Sequence, residues 1–348
     1  MTSESPAPGA EALLTMARSL VASGSARKAA ILLEQALARH PRPEFLWMLR
    51  RIHSEAIPKC HFEMLHDTAR NRAYQEALER AIRPGMTVLE IGTGSGLLAM
   101  MAARAGAASV ITCEMDWRLA ETARAIVAAN GFEKIVTVVD RHSTELEIGR
   151  DLPGRADVLV AEVFGHMLLN EAALPVFAHA RRHLLKPDAA IIPAAASFEV
   201  ALAFDSSPAR GPVGPVCGFD LSGMNRHRPI SYSIPAGDEA LALRSADQSL
   251  FAFDLESAAD PQPEERDFTL VSSGGPVNGV VGWIRLRMDG SGVHDTRPGP
   301  GAASSWKLPF WPMPGLETAP GEAVTFRAGH NRQTIRIGGT DGTPWDGW

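Results

Sequence analysis

The sequence predicts an α/β protein in which a doubly wound parallel sheet is followed by a β-barrel. Strand and helix patterns alternate from residue 87 to residue 185, which is typical of a parallel sheet with helices on both faces. After Pro193, proline and glycine become frequent, long helical periodicity disappears, and short alternating apolar runs take over. The 348 residues, of which 45% are apolar, are enough for two or three domains with separate cores.

A short helical segment precedes the sheet. Residues 1–9 are rich in Ser, Pro and Ala and are expected to be disordered. Two helical patterns follow, Glu11–Ser23 and Ala26–His40. The small residues and the proline that match the second half of a tetratricopeptide repeat (TPR) are Gly24, Ala29, Ala36 and Pro41. We therefore predict a TPR-like hairpin over residues 10–55, although an Ala-rich hairpin could produce the same spacing by chance.

The sheet domain is predicted over residues 56–193. Its predicted elements are helix Phe62–Ile82, strand Thr87–Ile91, helix Leu97–Ala105, strand Ser109–Glu114, helix Arg118–Asn130, strand Ile135–Val139, strand Ala156–Val163 and helix Leu174–Leu185. Residues 194–348 then form the predicted barrel, with runs such as SFEVALAF and VVGWIRLRM as its strands.

Composition excludes several classes of function. A net charge of -6 gives no global attraction to nucleic acid, so no nucleic-acid partner is expected. Cys60, Cys113 and Cys217 lie far apart without a CxxC or Cys/His pair, so neither a metal site nor a disulfide framework is predicted. Because there is no leader pattern and no apolar run of 18 residues, we expect a cytoplasmic protein without a membrane partner.

The glycine loop VLEIGTGSG, from Val88 to Gly96, joins a predicted strand directly to a helix. Its glycines allow the backbone to approach a ligand closely. By itself the string also fits an ordinary turn or an NAD site. Two acids favour S-adenosylmethionine (SAM): Glu90 lies inside the motif strand, and Glu114 ends the next strand, where it can bind both ribose hydroxyls. The loop therefore predicts a seven-stranded, class I SAM-dependent methyltransferase domain.

Glu162 and Glu171 are nine residues apart in AEVFGHMLLNE. The first ends a buried strand, and ligands of open α/β sheets bind at that edge. Both carboxylates could converge on a cation, in particular a planar, permanently charged guanidinium. The alternative is a pair of solvated acids at helix starts.

From His61 to Ile192 the chain resembles the protein arginine methyltransferases, most closely the monomethylating branch. The matching strings are MLHDTARNRAY, VLEIGTGSGLLAMMAARAG, ITCEMD, NGFEKIVTVVDRHSTEL, EVFGHMLLNEAALP and HARRHLLKPDAAIIP. The resemblance implies that Glu162 and Glu171 are the catalytic acids and that Met64 packs beside the substrate. The cofactor contacts that it implies are Gly92, Gly94 and Gly96 around the methionine part, Glu114 on the ribose, Arg70 on the carboxylate with His61 nearby, and Ser143, Thr144 and Glu145 around the adenine.

The mechanism follows from charge. A guanidinium has a pKa above about 12 and arrives protonated, so its nitrogens are poor nucleophiles. Two carboxylates that bind it would draw the positive charge toward the bound nitrogens and leave the remaining nitrogen free to attack the methyl group in line.

The chain departs from the family in a loop that normally carries Thr-His-Trp. Ser304, Ser305 and Trp306 stand at that place, so Trp306 is expected to contact substrate while the histidine is absent. Its acidic partner aligns with Asp67, which we expect to lose that contact. Ala172 and Ala173 after Glu171 replace a methionine common in asymmetrically dimethylating members, which favours monomethylation.

A dimer is also implied. The string GFDLS, residues 218–222, resembles the start of the arm through which these enzymes dimerise, so we predict a short dimerisation arm near residues 205–228 and a homodimer.

Three functions remain open at this point. The first is an arginine methyltransferase that acts on a protein or peptide, with the helical hairpin as a docking element. The second is a methyltransferase whose substrate is a small guanidine or other cationic metabolite. The third is a non-catalytic, SAM-binding scaffold. The absent histidine favours the scaffold, whereas Arg70 and the two glutamates argue against it.

Overall fold

The chain begins with three packed helices. The structure is a computed structural model that describes residues 9–54, 57–257, 259–341 and 344. The helices are α1 (Ala10–Ala22), α2 (Ala26–Arg39) and α3 (Pro43–Ser54). Both helices of the predicted hairpin are confirmed to within one residue, and α3 was not predicted. Residues 1–8, expected to be disordered, lie outside the described residues.

Small residues let these helices approach closely. Gly24 has φ +78° in the turn between α1 and α2, where a side chain would be strained. The shared core consists of Ala17, Ala29, Ala30, Leu33, Ala36, Phe45 and Ile52. The core supports the expected close packing, but α3 completes it within the chain, so burial does not require a second repeat.

The second unit is a parallel sheet with strand order β3-β2-β1-β4-β5. The strands are β1 (Thr87–Ile91), β2 (Ser109–Glu114), β3 (Val136–Asp140), β4 (Ala156–Ala161) and β5 (Leu185–Ile192). The flanking helices are α4 (Cys60–His66), α5 (Thr68–Ala81), α6 (Leu97–Arg104), α7 (Trp117–Ala129) and α8 (Ala173–His183). In the described residues this sheet has five strands, so the predicted number of seven was wrong. The strand that follows in the chain, Ala195–Asp205, pairs with strands of the antiparallel domain instead.

One predicted helix is divided into two. The pattern Phe62–Ile82 becomes α4 and α5, which are separated at Asp67. Asp67 has φ -77° and ψ 84°, and its carboxylate accepts the backbone N–H of Arg70 at 3.0 Å. An aspartate at this position satisfies a free N–H at the start of a helix and so favours a new start over continuation.

The strand order decides where a ligand can bind. β1 pairs with β2 on one side and with β4 on the other, so the chain direction across the sheet reverses at β1. At such a switch point the loops after neighbouring strands diverge and open a crevice at the carboxyl edge. The glycine loop, Glu114 and Glu162 all follow strands that end there.

The remaining chain forms a barrel-like antiparallel domain. Its main sheet has the order β10-β6-β13-β15-β9, and β11 and β14 pair with β6 and β13. The strands are β6 (Ala195–Asp205), β7 (Pro215–Val216), β8 (Phe219–Asp220), β9 (Tyr232–Ile234), β10 (Leu241–Leu243), β11 (Gln248–Asp254), β12 (Glu264–Val271), β13 (Gly275–Arg287), β14 (Val293–Asp295), β15 (Leu308–Thr318), β16 (Ala323–His330) and β17 (Ile335–Gly338). This order of an α/β sheet followed by a barrel confirms the predicted fold class.

The predicted arm contains the two-residue strands β7 and β8 and a 3₁₀ turn at Ser222–His227. Its exposed apolar side chains are Val216, Phe219, Leu221, Met224 and, just beyond, Ile230. Across the described ranges, no helix has both the length and the apolar character needed to cross a membrane.

Trp117 connects the N-terminal helices to the sheet. The Arg27 guanidinium of α2 lies over the Trp117 ring at 5.5 Å, and the His53 ring of α3 packs edge-on at 5.9 Å. Arg27 also pairs with Glu121 at 3.0 Å and Asp140 at 2.7 Å. The Arg27 side chain is nearly half exposed, so water screens these ion pairs and the contacts of the Trp117 ring matter more.

We expect Trp117→Ala to loosen the N-terminal helices, because it removes the ring that both α2 and α3 contact. The free energy of unfolding should fall by roughly 2 kcal/mol, and limited proteolysis before Cys60 should become faster. Trp47→Ala is the matched control, since Trp47 lies on α3 and is 74% exposed. Equal effects of the two substitutions would contradict the assigned contact.

Candidate active site

A cavity of about 570 Å³ lies at the carboxyl edge of the parallel sheet. Its walls come from the ends of β1, β2 and β4, from α4 and from the turn after β3. The predicted site residues that line it are His61, Met64, Arg70, Gly92, Gly94, Glu114, Ser143, Glu162 and Glu171. The volume is in the range of small-molecule and cofactor sites.

The glycine loop forms one wall. Gly92, Gly94 and Gly96 have φ of +87°, +51° and +82°, values that L side chains rarely adopt. A Cβ added to Gly94 would lie 3.9 Å from the imidazole Nδ1 of His61. The loop is held in place by the Thr93 hydroxyl, which hydrogen-bonds the Thr112 hydroxyl at 2.6 Å. The fixed, open backbone suits a ligand that lies between the loop and His61.

Glu114 presents an ordered carboxylate at the end of β2. One oxygen accepts the backbone N–H of Gly94 and the other accepts that of Asp116, both at 3.0 Å. Each carboxylate oxygen can accept a second hydrogen bond, so two adjacent hydroxyl groups could donate to Glu114. This chemistry fits the ribose of the predicted cofactor.

Fewer of the residues predicted to surround adenine line the cavity. Ser143 is buried and lines the cavity, together with Arg141 and His142. Thr144 and Glu145 are exposed and stabilise the 3₁₀ turn, because both hydrogen-bond His142. Their predicted contact with adenine stays a prediction.

Glu90 is a buried acid whose role sequence reasoning did not identify. It is 1% exposed, lines the cavity, and has no hydrogen-bond partner on either carboxyl oxygen. Burial raises its pKa to about 8; Thr112 and the Ala99 N–H oppose this rise without reaching hydrogen-bond geometry. The sequence shows that Glu90 lies beside the glycines. Its lack of hydrogen-bond donors follows from how the folded chain packs around it.

Glu162 and Glu171 face the same cavity from the two ends of one loop. Glu162 is almost fully buried, whereas Glu171 keeps contact with solvent. Partial burial and then repulsion from Glu162 raise the pKa of Glu171. Two carboxylates that repel each other across an open space favour a cation between them.

The loop between the two acids has a constrained shape. Leu168 and Ala172 adopt left-handed φ values of +63° and +57°. A Cβ on Gly165 would overlap the Asn170 side chain, so the two residues are in close contact. Left-handed conformations of residues other than glycine cost about 1–3 kcal/mol and often occur at functional sites. The loop that carries the two acids therefore contains backbone strain, as loops at functional sites often do.

Arg70 lines the cavity and forms an ion pair with Glu162. Its Nη2 donates to Glu162 Oε2 at 2.6 Å, and Nη1 donates to Asn71 at 2.8 Å, whereas the buried Nε has no partner. Burial lowers the pKa of Arg70, but Glu162, Tyr74 and Asp67 together outweigh that effect, so the pKa is raised overall. The side chain stays charged and lines the cavity, so its charge can attract an anionic ligand.

Trp306 lies behind this pair rather than in the cavity wall. Its indole N–H donates to the Phe164 carbonyl at 2.6 Å, and the Arg70 guanidinium lies 5.9 Å from its ring. Its expected contact with substrate stays a prediction. The observed contacts hold the loop that follows Glu162.

Asp67 does not lose its contact with the loop, as the sequence had led us to expect. Its Oδ2 accepts the backbone N–H of Ser305 at 2.8 Å and the Ser305 hydroxyl at 3.0 Å. A short hydroxyl together with a backbone N–H replaces the absent histidine as a donor, because the loop lies close enough to Asp67 for both to reach it.

The residues present fit SAM. The glycine loop leaves space that a Cβ would narrow, Glu114 offers acceptors for hydroxyls, and Arg70 brings a positive charge to the cavity for a carboxylate. Within the described ranges, no group of three or more His, Cys, Asp and Glu side chains is arranged to hold a metal ion.

We expect Gly94→Ala to weaken SAM binding roughly tenfold, because a methyl group would enter the space between the loop and His61 and strain the backbone. Isothermal titration calorimetry measures this effect. Gly106→Ala is the control, since Gly106 also has positive φ, +105°, but its Cβ would meet nothing within 4 Å. Unchanged affinity in Gly94→Ala would exclude the glycine loop as the cofactor cradle.

Comparison with known proteins agrees with this geometry. The family model for ribosomal protein L11 methyltransferase (PrmA) matches residues 66–192. The solved Trypanosoma brucei PRMT1 enzyme–prozyme complex with AdoHcy is 26% identical, with a TM-score of 0.70 over 80% of this chain and 90% of that chain. Protein arginine methyltransferase 10 of Arabidopsis thaliana, 20% identical with a TM-score of 0.64 over 82% of this chain and 95% of that chain, supports the fold alone.

Two curated relatives span most of this chain. Arginine N(omega)-methyltransferase of Streptomyces achromogenes subsp. streptozoticus is 40% identical over 81% of this chain and 78% of its own length. Protein arginine N-methyltransferase 7 of Oryza sativa subsp. indica is 30% identical over 79% of this chain, which covers 44% of that protein. The chain thus spans less than half of the second relative. Taken with the cavity and its acids, these matches show that the chain belongs to the SAM-dependent arginine N-methyltransferases.

Proposed function

We propose that this protein methylates a guanidino nitrogen of arginine in a protein or peptide, with Glu162 and Glu171 holding the guanidinium. The observation that carries the proposal is the placement of both carboxylates on one cavity, together with the glycine loop and Glu114. The raised pKa of Glu171 beside Glu162 supports a cation as the group that lies between them.

The acids activate the acceptor by redistributing its charge. Two carboxylates that accept hydrogen bonds from a protonated guanidinium draw positive charge toward the bound nitrogens. The remaining nitrogen gains nucleophilic character and can be aligned with the donor. SAM supplies an electrophilic methyl group when it is bound. Nitrogen forms a bond to the methyl carbon as the sulfur–carbon bond breaks, and the nitrogen then releases a proton to a carboxylate or water.

Arg70 connects the two halves of this reaction. It pairs with Glu162 and also lines the cavity, where its positive charge attracts the carboxylate of the cofactor. A single buried cation therefore orients the methyl donor and the first catalytic acid relative to each other. Positioning of this kind accounts for a large share of catalysis when no strong base is required.

Free arginine is a second candidate acceptor. The Streptomyces relative is named arginine N(omega)-methyltransferase, without the word protein. In addition, burial and then the charge of Lys307 lower the pKa of His166, which places a cation near the loop of the two glutamates. A positive charge there would suit the carboxylate of free arginine better than a basic peptide.

We expect Glu162→Gln and Glu171→Gln to lower the rate of methyl transfer by roughly 10²-fold or more, because each removes one charge that stabilises the transition state. The assay measures transfer from radiolabelled SAM to arginine, with Glu133→Gln at an exposed acid as control. Full activity in either active-site variant would exclude the two-glutamate arrangement.

The same assay identifies the acceptor. An Arg-Gly peptide and free L-arginine are compared at equal guanidine concentration, and mass spectrometry identifies the methylated product. Labelled peptide supports the protein substrate and labelled free arginine supports the second candidate. If SAM binds but neither acceptor is labelled, the proposed activity is wrong for both classes.

We also propose that the chain forms a homodimer through the arm. Isolated surface apolar residues are common, but the arm places Val216, Phe219, Leu221 and Met224 within ten residues, all exposed. A concentration of exposed apolar side chains in one short segment supports an interaction surface.

We expect Phe219→Ser to shift the protein from dimer to monomer, because Phe219 is 72% exposed and central to the arm. Light scattering coupled to size-exclusion chromatography measures the mass. Trp47→Ser changes an equally exposed aromatic residue outside the arm and should leave the mass unchanged. A monomeric wild-type protein would refute the dimer.

A further inference from the structure

His294 is a buried histidine that the barrel places next to the active site. It lies in β14, opposite Leu286 of β13, and is 7% exposed. Its ring centre is 5.6 Å from that of Trp306, with the planes inclined by 48°. Both side chains belong to the antiparallel domain, whereas Arg70 on the other side of Trp306 belongs to α5.

The imidazole has no hydrogen-bond partner at its buried Nε2. Burial lowers the pKa of His294; Asp67 and Asp295 attract the protonated form, and Arg70 repels it. Among the described residues, these are the charged groups that act on the His294 ring: Asp67 at the junction of α4 and α5, Asp295 in β14 and Arg70 in α5. The neutral ring is therefore the form that the folded protein prefers.

We propose that His294 is a positioning residue for methyl transfer, which acts through Trp306 and requires its neutral form. The proposal rests on the arginine methyltransferase function described above. His294 does not line the cavity and so is not proposed to touch substrate.

The contacts show how the effect reaches the reacting groups. His294 packs against the indole ring, and the indole N–H holds the Phe164 carbonyl at 2.6 Å. Phe164 is two residues beyond Glu162, and the same indole lies over Arg70, which holds Glu162. A tilt of the Trp306 ring therefore moves both Phe164 and Arg70, which support Glu162.

Protonation would disturb this arrangement through charge. An imidazolium would stand as a second cation beside the Arg70 guanidinium and compete for the carboxylate of Asp67, which already accepts bonds from Ser305 and Arg70. Because the pKa of His294 is lowered from 6.5, the neutral form persists at neutral pH and is lost only as pH falls through the lower value.

The chain offers a matched control in His330. This histidine is also buried in the barrel, at 4% exposure, and its pKa is likewise lowered by burial. It packs edge-on against Phe251 and Phe253, and its Nδ1 accepts the backbone N–H of Arg332 at 3.3 Å. Loss of either ring removes packing, and His330→Leu also removes the hydrogen bond from Arg332, so a purely structural effect should be at least as large at His330.

The test compares His294→Leu, His294→Gln and His330→Leu. We expect His294→Leu to lower kcat roughly 10-fold to 10²-fold, with affinity for S-adenosylhomocysteine within about twofold of wild type, while His330→Leu changes only stability. His294→Gln, which keeps a neutral polar group, should recover part of kcat and shift the acidic limb of the pH profile to lower pH. Unchanged kcat in His294→Leu, or an equal loss in His330→Leu, overturns the proposal.

A second measurement does not depend on catalysis. Protein labelled with 5-fluorotryptophan gives a ¹⁹F resonance for Trp306, assigned by its loss in Trp306→Phe. We expect this resonance to titrate below pH 6.5 in wild type and in His330→Leu but not in His294→Gln. If wild type methylates no acceptor and the resonance titrates, the proposed function fails while the coupling stands; a resonance that does not titrate refutes the coupling itself.

Discussion

The buried ion pair between Arg70 and Glu162 is the contact on which the active site depends. Both side chains are at most 5% exposed, and their closest nitrogen and oxygen atoms are 2.6 Å apart. Removing two charges from water costs several kcal/mol for each ion, and the loss of one partner leaves an uncompensated buried charge. Arg70 and Glu162 therefore have to be buried as a pair, and this pair connects α5 to the end of β4.

The surroundings of this pair come from both domains. Tyr74 of α5 lies beneath the guanidinium, and its hydroxyl donates to the Ala161 carbonyl at 3.2 Å. Trp306 covers the other side, and Ser305 next to it donates to Asp67 at the start of α5. Glu162 is therefore supported by contacts from both domains, so the barrel contributes directly to the candidate site.

The hydrophobic periodicity of the sequence predicted most helices and strands, because these elements form where that periodicity allows one face to be buried. The strands Thr87–Ile91 and Ser109–Glu114 were predicted to the residue, since each is a short, mostly apolar or β-branched run that follows a glycine turn. The errors have tertiary causes. Asp67 divides a helical pattern because it caps α5, and β6 follows β5 in sequence but pairs with β13, which leaves the parallel sheet with five strands.

The sequence by itself determined the chemistry that is available: a glycine loop, an acid after the second strand, and two carboxylates nine residues apart. Only the tertiary structure decided which of these groups are buried and which side chains they contact. It left Glu90 without donors, brought Ser305 to Asp67 in place of a histidine, and placed His294 beside Trp306. Burial isolates Glu90, Ser305 and Asp67 meet across 238 positions of the chain, and the packing of β14 brings His294 to Trp306. None of these contacts can be computed from the spacing of residues along one chain.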